Sequence, residues 1–420
     1  MLLFFAIQLH AAKFDYVIIG GGTCGLLLAN RLSEDSNTTI AVIEPGQDVR
    51  NSPNVTDPEN FLASFNTPID WAYPSVVQPG AANRSFTFHS GRAIGGTSTI
   101  NGMTYIRADA AEIDAWEALG NEGWNWEALF PYYKKVERFT RPTMAQVAAG
   151  ASYEPKYHGQ DGELHVGFRY ALANGSFEEI AQEGWQALGS PVNPDVNDGD
   201  TRGFNVWPQT VDRESDLRWD AARAFYYPVQ HRTNLSILNG TAIRLVWSTT
   251  KDGSRRKKAT GVEYTNTKNE TIVATIGKEA VLSAGSLRTP LLLELSGIGN
   301  PQILESLGVD TIIDLAGVGE NLQEQPNNDI LFSGALNVTG STTYATFGTA
   351  EDIYGHNKGS VHLRSVHQVD QPVIDPRYFL ADIDLVTQIA IGKHAQAFWN
   401  TSCVEGHTKL SSNRNSFHDG

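Results

Sequence analysis

The run Tyr16-Val17-Ile18-Ile19 is continuously apolar and breaks into Gly20-Gly21-Gly22. Such a run followed by glycines predicts a buried β-strand entering a tight turn, with a helix beyond it. A second run, Ile40-Ala41-Val42-Ile43, predicts a neighbouring strand. Far downstream, Leu235-Ser236-Ile237-Leu238, Ile243-Arg244-Leu245-Val246 and Ala259-Thr260-Gly261-Val262-Glu263 predict short strands around a polar tip, Lys251 to Lys258. Glu279-Ala280-Val281-Leu282-Ser283-Ala284 is a further strand ending in Gly285-Ser286. A helix follows, with Pro290 in its first turns and Leu291, Leu292, Leu293 and Leu295 leading to Ser296-Gly297-Ile298-Gly299. Strand, small-residue turn and apolar helix therefore occur twice. Between the two, Asn51 to Ala82 is rich in Pro, Asn and aromatic residues and reads as a surface excursion. Ala110 to Phe139 is amphipathic, with Trp116, Trp124, Trp126 and Tyr132 as candidate core and a helix stop at Leu119-Gly120. Gly162 to Arg218 alternates short apolar runs with turns at Asp195, Asp198 and Asp200, the pattern of an inserted second domain. The fold class is α/β: a Rossmann-like domain interleaved with an α+β domain.

The first glycine turn carries chemistry. Gly20 permits the turn, Gly22 lets a pyrophosphate approach the backbone, and Gly25 allows close helix–strand packing. Thr23 and Cys24 open the helix, whose N-terminus faces the phosphates. Glu44 stands nineteen residues beyond Gly25 at the end of the second strand, where its carboxylate can accept both ribose hydroxyls. An acid there repels a 2′-phosphate, so FAD or NAD fits better than NADP. A second cluster, Gly91-Arg92-Ala93-Ile94-Gly95-Gly96-Thr97-Ser98-Thr99-Ile100-Asn101-Gly102, offers backbone amides to a planar ring or phosphate. A third, Gly317-Val318-Gly319-Glu320-Asn321-Leu322, does the same. Several turns converging on one cofactor favour the longer FAD.

Composition narrows the partners. The 420 residues support a large core and two domains, and a net charge of -15 argues against binding nucleic acid. No apolar stretch reaches the roughly 18 residues that span a bilayer, which argues against integral membrane association. Met1 to Ile7 has the apolar character of a signal peptide but lacks a basic start. Nine Asn-x-Ser/Thr sequons begin at Asn37, Asn54, Asn83, Asn174, Asn234, Asn239, Asn269, Asn337 and Asn400. Passage through the secretory pathway is the expectation, with a cytoplasmic location if the apolar start is no signal. Cys24 and Cys403 make no disulfide framework. Asp195 to Asp200 superficially resembles a calcium loop but lacks the Glu six places after its glycine, so no metal is expected.

The cluster Gly91 to Asn101 resembles the first signature of the glucose-methanol-choline (GMC) oxidoreductases, and Gly285 to Gly299 resembles the second. Gly120-Asn121-Glu122-Gly123-Trp124-Asn125-Trp126, His158-Gly159-Gln160-Asp161-Gly162 and Asn321-Leu322-Gln323-Glu324-Gln325 are similar to the fungal glucose oxidase branch. The likeness runs from Phe14 to Asn328 and resumes weakly at Gly359-Ser360-Val361 and Pro372 to Pro376. It implies FAD-binding segments at 14–115 and 230–325, a substrate or cap segment at 116–229, and a shortened remnant with its tail at 326–420. Gly20, Gly22, Gly25, Arg92, Gly95 and Gly96 belong to the implied cofactor wall. Thr23 and Cys24 approach the diphosphate, with Cys24 standing where this branch commonly has threonine. Glu44 takes the ribose, Thr97, Asn101, Gly102, Met103 and Thr104 lie along the isoalloxazine, and Ile243 serves the adenine through its backbone.

The resemblance implies oxidation of a CH–OH group of a small alcohol or sugar by hydride transfer to flavin N5, in fungal secondary metabolism. The family's terminal catalytic histidine segment has no counterpart here, so no catalytic residue is identified. His356, His362, His367 and His394 read as surface or packing residues. The alternative is a non-redox flavoprotein or pseudoenzyme with structural FAD. Substrate identity and oligomeric state stay open.

Overall fold

The computed structural model describes residues 12–174, 177–248, 257–324, 332–334, 344–347, 359–368, 370–380, 382–402 and 408–410. Met1 to Ile7, most of the basic tip, His356 and Cys403 lie outside these residues.

Strand β1 (Lys13–Ile19) leads through the glycine turn into helix α1 (Thr23–Leu32) and back to strand β2 (Ile40–Glu44). Strands β3 (Leu235–Trp247), β4 (Ala259–Asn266) and β5 (Thr271–Leu282) complete the assembly, and helix α2 (Gly285–Leu295) follows. β1 pairs in parallel with β2 on one side and β5 on the other. The two short strands expected within 235–246 are one thirteen-residue strand. Its first part, Leu235 to Asn239, pairs in parallel with β2, and Gly240 to Trp247 turns onto β4 as an antiparallel ladder. β5 does the same in reverse, meeting β4 at Thr271 to Thr275 and β1 from Thr275 to Leu282 across one register shift. Two long strands thus belong to both sheets, and the order β1-β5-β4-β3-β2 closes on itself. Continuity arises because the polar residues between the two apolar runs, Asn239 and Thr241, sit at the crossing point where pairing changes partner.

Both faces of β1 are covered, which explains its unbroken apolar run. Val17 and Ile19 pack with Ile43, Leu245, Val262 and Leu292, whereas Ile18 points the other way onto Ala29, Ile40, Val42 and Leu235. A separate core gathers Phe139, Val166, Phe168, Phe204, Val206 and Phe398 from the intervening chain and from the late helix Asp382–Trp399. The aromatic residues expected in that core are placed otherwise. Trp116 on the helix Ala110–Ala118 and Trp124 in the turn after it are 52% exposed, Tyr132 on the helix Trp126–Val136 is 65% exposed, and Trp126 stacks on Phe130. The helix stop at Leu119-Gly120 is present, with Gly120 at φ +100°.

Charge is buried in this second region. His158 shares hydrogen bonds with Glu137 (2.9 Å) and Asp195 (3.0 Å), and Arg107 donates to Glu137 at 3.0 Å. The remaining carboxylates of the aspartate-rich loop accept from its own backbone, as Asp198 does from the Asp200 amide at 2.7 Å. Among the described residues no helix is long and apolar enough to cross a membrane.

Candidate cofactor site

A cavity of about 540 Å³ opens where β1, α1, β2 and the start of α2 meet. Its floor is built from glycines because no side chain fits between the layers. Gly20 has φ +105°, and a Cβ there would lie 2.4 Å from the Ser283 carbonyl oxygen. A Cβ on Gly25 would lie 1.9 Å from the Gly20 oxygen, so this glycine packs α1 against the turn and does not face the cavity. Gly96, at φ +56°, presses on the Cα of Gly22, where its Cβ would come within 2.6 Å. The first and second glycine clusters therefore touch backbone to backbone.

Electrostatics follow from this packing. Helix α1 has Gly22 as its N-cap, no side-chain cap bond and no acid in its first turn. Its first amides are left as donors at the cavity, where Thr23 and Cys24 form the wall. Glu44 is buried, and its two carboxylate oxygens accept from the Gly21 and Gly46 amides, each at 2.7 Å. Burial outweighs those bonds and pushes the carboxyl up to about 7. Each oxygen keeps a further lone pair for an incoming hydroxyl.

Of the residues expected from sequence, Gly20, Gly22, Thr23, Cys24, Glu44, Gly96 and Thr97 line the cavity. The others stand nearby in different roles. Arg92 lies over Trp71, a lining residue, at 4.8 Å. Gly95, at φ +112°, backs onto Thr99 and Asp220. Asn101, Gly102, Met103 and Thr104 continue past Thr97 and are tied to the 207–219 segment. Gln209 donates to the Gly102 carbonyl at 3.3 Å, Thr210 N–H to the Met103 carbonyl at 2.9 Å, and Thr104 bridges to Gln209. Ile243 does not line the cavity; it sits at a β-bulge, skipped between the pairs Ala242–Tyr264 and Arg244–Glu263, while Thr241 and Ala242 form the wall. The third turn, Gly317 to Leu322, also stands off the cavity. A Cβ on Gly319 would meet the Val361 oxygen at 2.2 Å, so this turn packs against the strand Gly359–His362.

Sequence reasoning missed Trp71 and Arg288. Trp71 comes from the surface excursion, which folds back as part of the wall, and Arg288 lies over its ring at 4.5 Å while donating to Tyr73 Oη (3.3 Å) and the Gln368 carbonyl (3.1 Å). A tryptophan and a cation beside a glycine turn were the available signal. His89 was also missed. It adjoins the lining residue Ser90, stacks on Phe65 at 3.9 Å and pairs through Nδ1 with buried Asp70 at 2.6 Å. His362 is held between Glu294 (2.7 Å) and Glu320 (3.2 Å), and chiefly the Glu294 bond raises its pKa. His394 is exposed beside Trp185. No histidine among the described residues lines the cavity.

The donor set fits an adenine dinucleotide: an acid for ribose hydroxyls, an uncapped helix for the diphosphate, and a glycine-walled slot too narrow for side chains. Residues 14–327 match the sequence profile described as GMC oxidoreductase. A glucose oxidase-like protein, fsoC, of Humicola fuscoatra is 46% identical across 92% of this chain and 78% of its own length. A glucose oxidase of Penicillium chrysogenum is 36% identical across 83% of the chain but only 57% of its own length. This chain thus spans little more than half of that relative. An FAD-dependent oxidoreductase from Chaetomium thermophilum superimposes with a TM-score of 0.85 at 25% identity, over 97% of this chain and 86% of the other. The chain belongs to the GMC oxidoreductase family, and its cofactor is FAD.

Proposed function

We propose that the chain binds one FAD non-covalently and oxidises a CH–OH group of an alcohol or sugar. The observation that carries this reading is the cleft, in which Glu44, the bare N-terminus of α1 and the Gly22–Gly96 contact face one space. Glu44 would hold the adenosine ribose and the Thr23 and Cys24 amides the diphosphate. The residues from Thr97 to Thr104 would lie along the flavin ring. Bound there, FAD supplies the hydride acceptor.

The protein's own task is to position the substrate and to take its hydroxyl proton. Among the described residues no histidine faces the cleft, and a missing acid–base group removes roughly 10²–10⁴-fold of rate. Turnover by this chain is therefore expected to be slow. That same observation favours the second reading, a flavoprotein whose FAD is structural. Anaerobic mixing of the FAD-loaded chain with a panel of sugars and primary alcohols separates the two. Slow bleaching of the flavin supports hydride transfer, and a fully loaded flavin that no substrate reduces supports the structural reading. Fast turnover would contradict the expected loss of rate and direct attention to His89, the histidine adjoining the cavity wall.

A further inference from the structure

Arg218 is fully buried, yet no carboxylate lies within ion-pair distance of it among the described residues. Its guanidinium donates to the Val55 carbonyl (2.8 Å), the Ser98 carbonyl (3.1 Å) and Asn101 Oδ1 (2.8 Å), and Nη2 has no partner among the described residues. The two acids nearest in sequence are committed elsewhere: Asp216 accepts from the Arg169 guanidinium at 3.0 Å, and Asp220 accepts from the Ala222 and Arg223 amides and faces the Arg223 guanidinium at 3.6 Å. Burial accordingly pushes the arginine down to about 10, still charged at neutral pH. A buried cation without a carboxylate partner is energetically costly. A fold that retains one needs a compensating anion or a use for the field.

The three carbonyl partners say where the field falls. Val55 belongs to the excursion that carries Trp71, and Ser98 and Asn101 belong to the second glycine cluster, directly beyond the lining residues Gly96 and Thr97. Asn101 reports the geometry further. The side-chain atom facing Arg218 Nη1 also faces the Met103 amide at 3.1 Å, and since both are donors it must be the oxygen. The amide nitrogen is then the free end of an exposed side chain, with no hydrogen-bond partner among the described residues.

We infer that Arg218 is a positioning residue for the flavin: it fixes Asn101 with its NH₂ presented to the ring, and its charge beneath the loop favours the reduced cofactor. This rests on the FAD reading above. Reduction places negative charge on the ring, and a buried cation in a low-dielectric setting stabilises that charge more than it stabilises the neutral ring. Hydride donation would thereby become more favourable without Arg218 touching substrate.

The test uses the full chain loaded with FAD and equilibrated anaerobically against a reference redox dye. Flavin absorbance and melting temperature are recorded alongside. For Arg218→Met, the reduced-to-oxidised flavin ratio at a fixed dye potential should fall roughly tenfold, the order expected on removing one buried unit charge near the ring. Arg218→Lys, which keeps the charge, should recover most of the ratio. Asn101→Ala, at an exposed position, should lower it about fivefold, the weight of one hydrogen bond. A folded, yellow Arg218→Met protein with an unchanged ratio overturns the assignment. Should that variant fail to fold, an unchanged ratio in Asn101→Ala overturns it equally. A wild-type chain that takes up no FAD defeats the cofactor reading itself, and is seen before any variant is measured.

Discussion

Glu44 is held by two backbone amides and has a carboxyl raised by burial to about 7. Its ionised form is the better acceptor for ribose hydroxyls, so FAD affinity should rise between about pH 6 and pH 8. Glu44→Gln should lose that dependence and bind FAD roughly ten- to a hundredfold more weakly, the value of one charge-assisted hydrogen bond. Titration of both proteins at three pH values checks this, and an unchanged slope in Glu44→Gln would contradict it. In the FAD-free protein the sign is opposite for stability. A folded-state pKa above the usual 4.5 contributes stability that is complete below pH 4.5 and is lost as pH rises through about 7. Cys24 gives a second readout, because it is exposed and lines the same cavity. Iodoacetamide should alkylate it in the free protein, and saturating FAD should slow the reaction severalfold. Equal rates would mean that the diphosphate does not lie at the start of α1.

At the scale of elements, the buried His158–Glu137–Asp195–Arg107 cluster ties the strand Glu137–Thr140 to three loops. Burial opposes the charged imidazole, but the bonds to Asp195 and Glu137 win and hold its pKa above 6.5. Its contribution is therefore complete below pH 6.5 and is lost as pH rises through the higher folded value. Thermal melts should show stability falling above pH 6.5, with a flatter profile in His158→Gln; parallel profiles would remove the cluster from the account. Much of the first strand–turn–helix was legible because its glycines answer to local demands, Gly20 to its φ of +105° and Gly25 to the Gly20 carbonyl beneath it. What escaped depended on contacts distant in sequence. The joining of 235–238 to 243–246 follows from two partner strands on either side of Asn239, which no local pattern encodes. Likewise, polar neighbours do not reveal that Trp116 and Trp124 lie outside, whereas Trp71 enters the cleft.

For the whole molecule, secretion remains our proposal, and the surface makes it testable. The sequon residues Asn37, Asn54, Asn83, Asn239, Asn269 and Asn400 are exposed, whereas Asn234 spends its amide on the Ser33, Asp35 and Thr38 carbonyls. Expression through a eukaryotic secretory pathway should give glycans at several of the former and none at Asn234, as glycopeptide mass spectrometry would show. A fully glycosylated Asn234 would contradict its seat on the turn between α1 and β2. The central claim is that two glycine clusters and Glu44 build one FAD site, and its most direct measurement is equilibrium titration of the purified chain with FAD and, separately, NAD. One FAD per chain is expected, with an absorbance band at about 450 nm and a melting temperature that climbs with FAD concentration as binding to the folded state requires. A folded, monodisperse chain that stays colourless with FAD, or that binds NAD in preference, would contradict it.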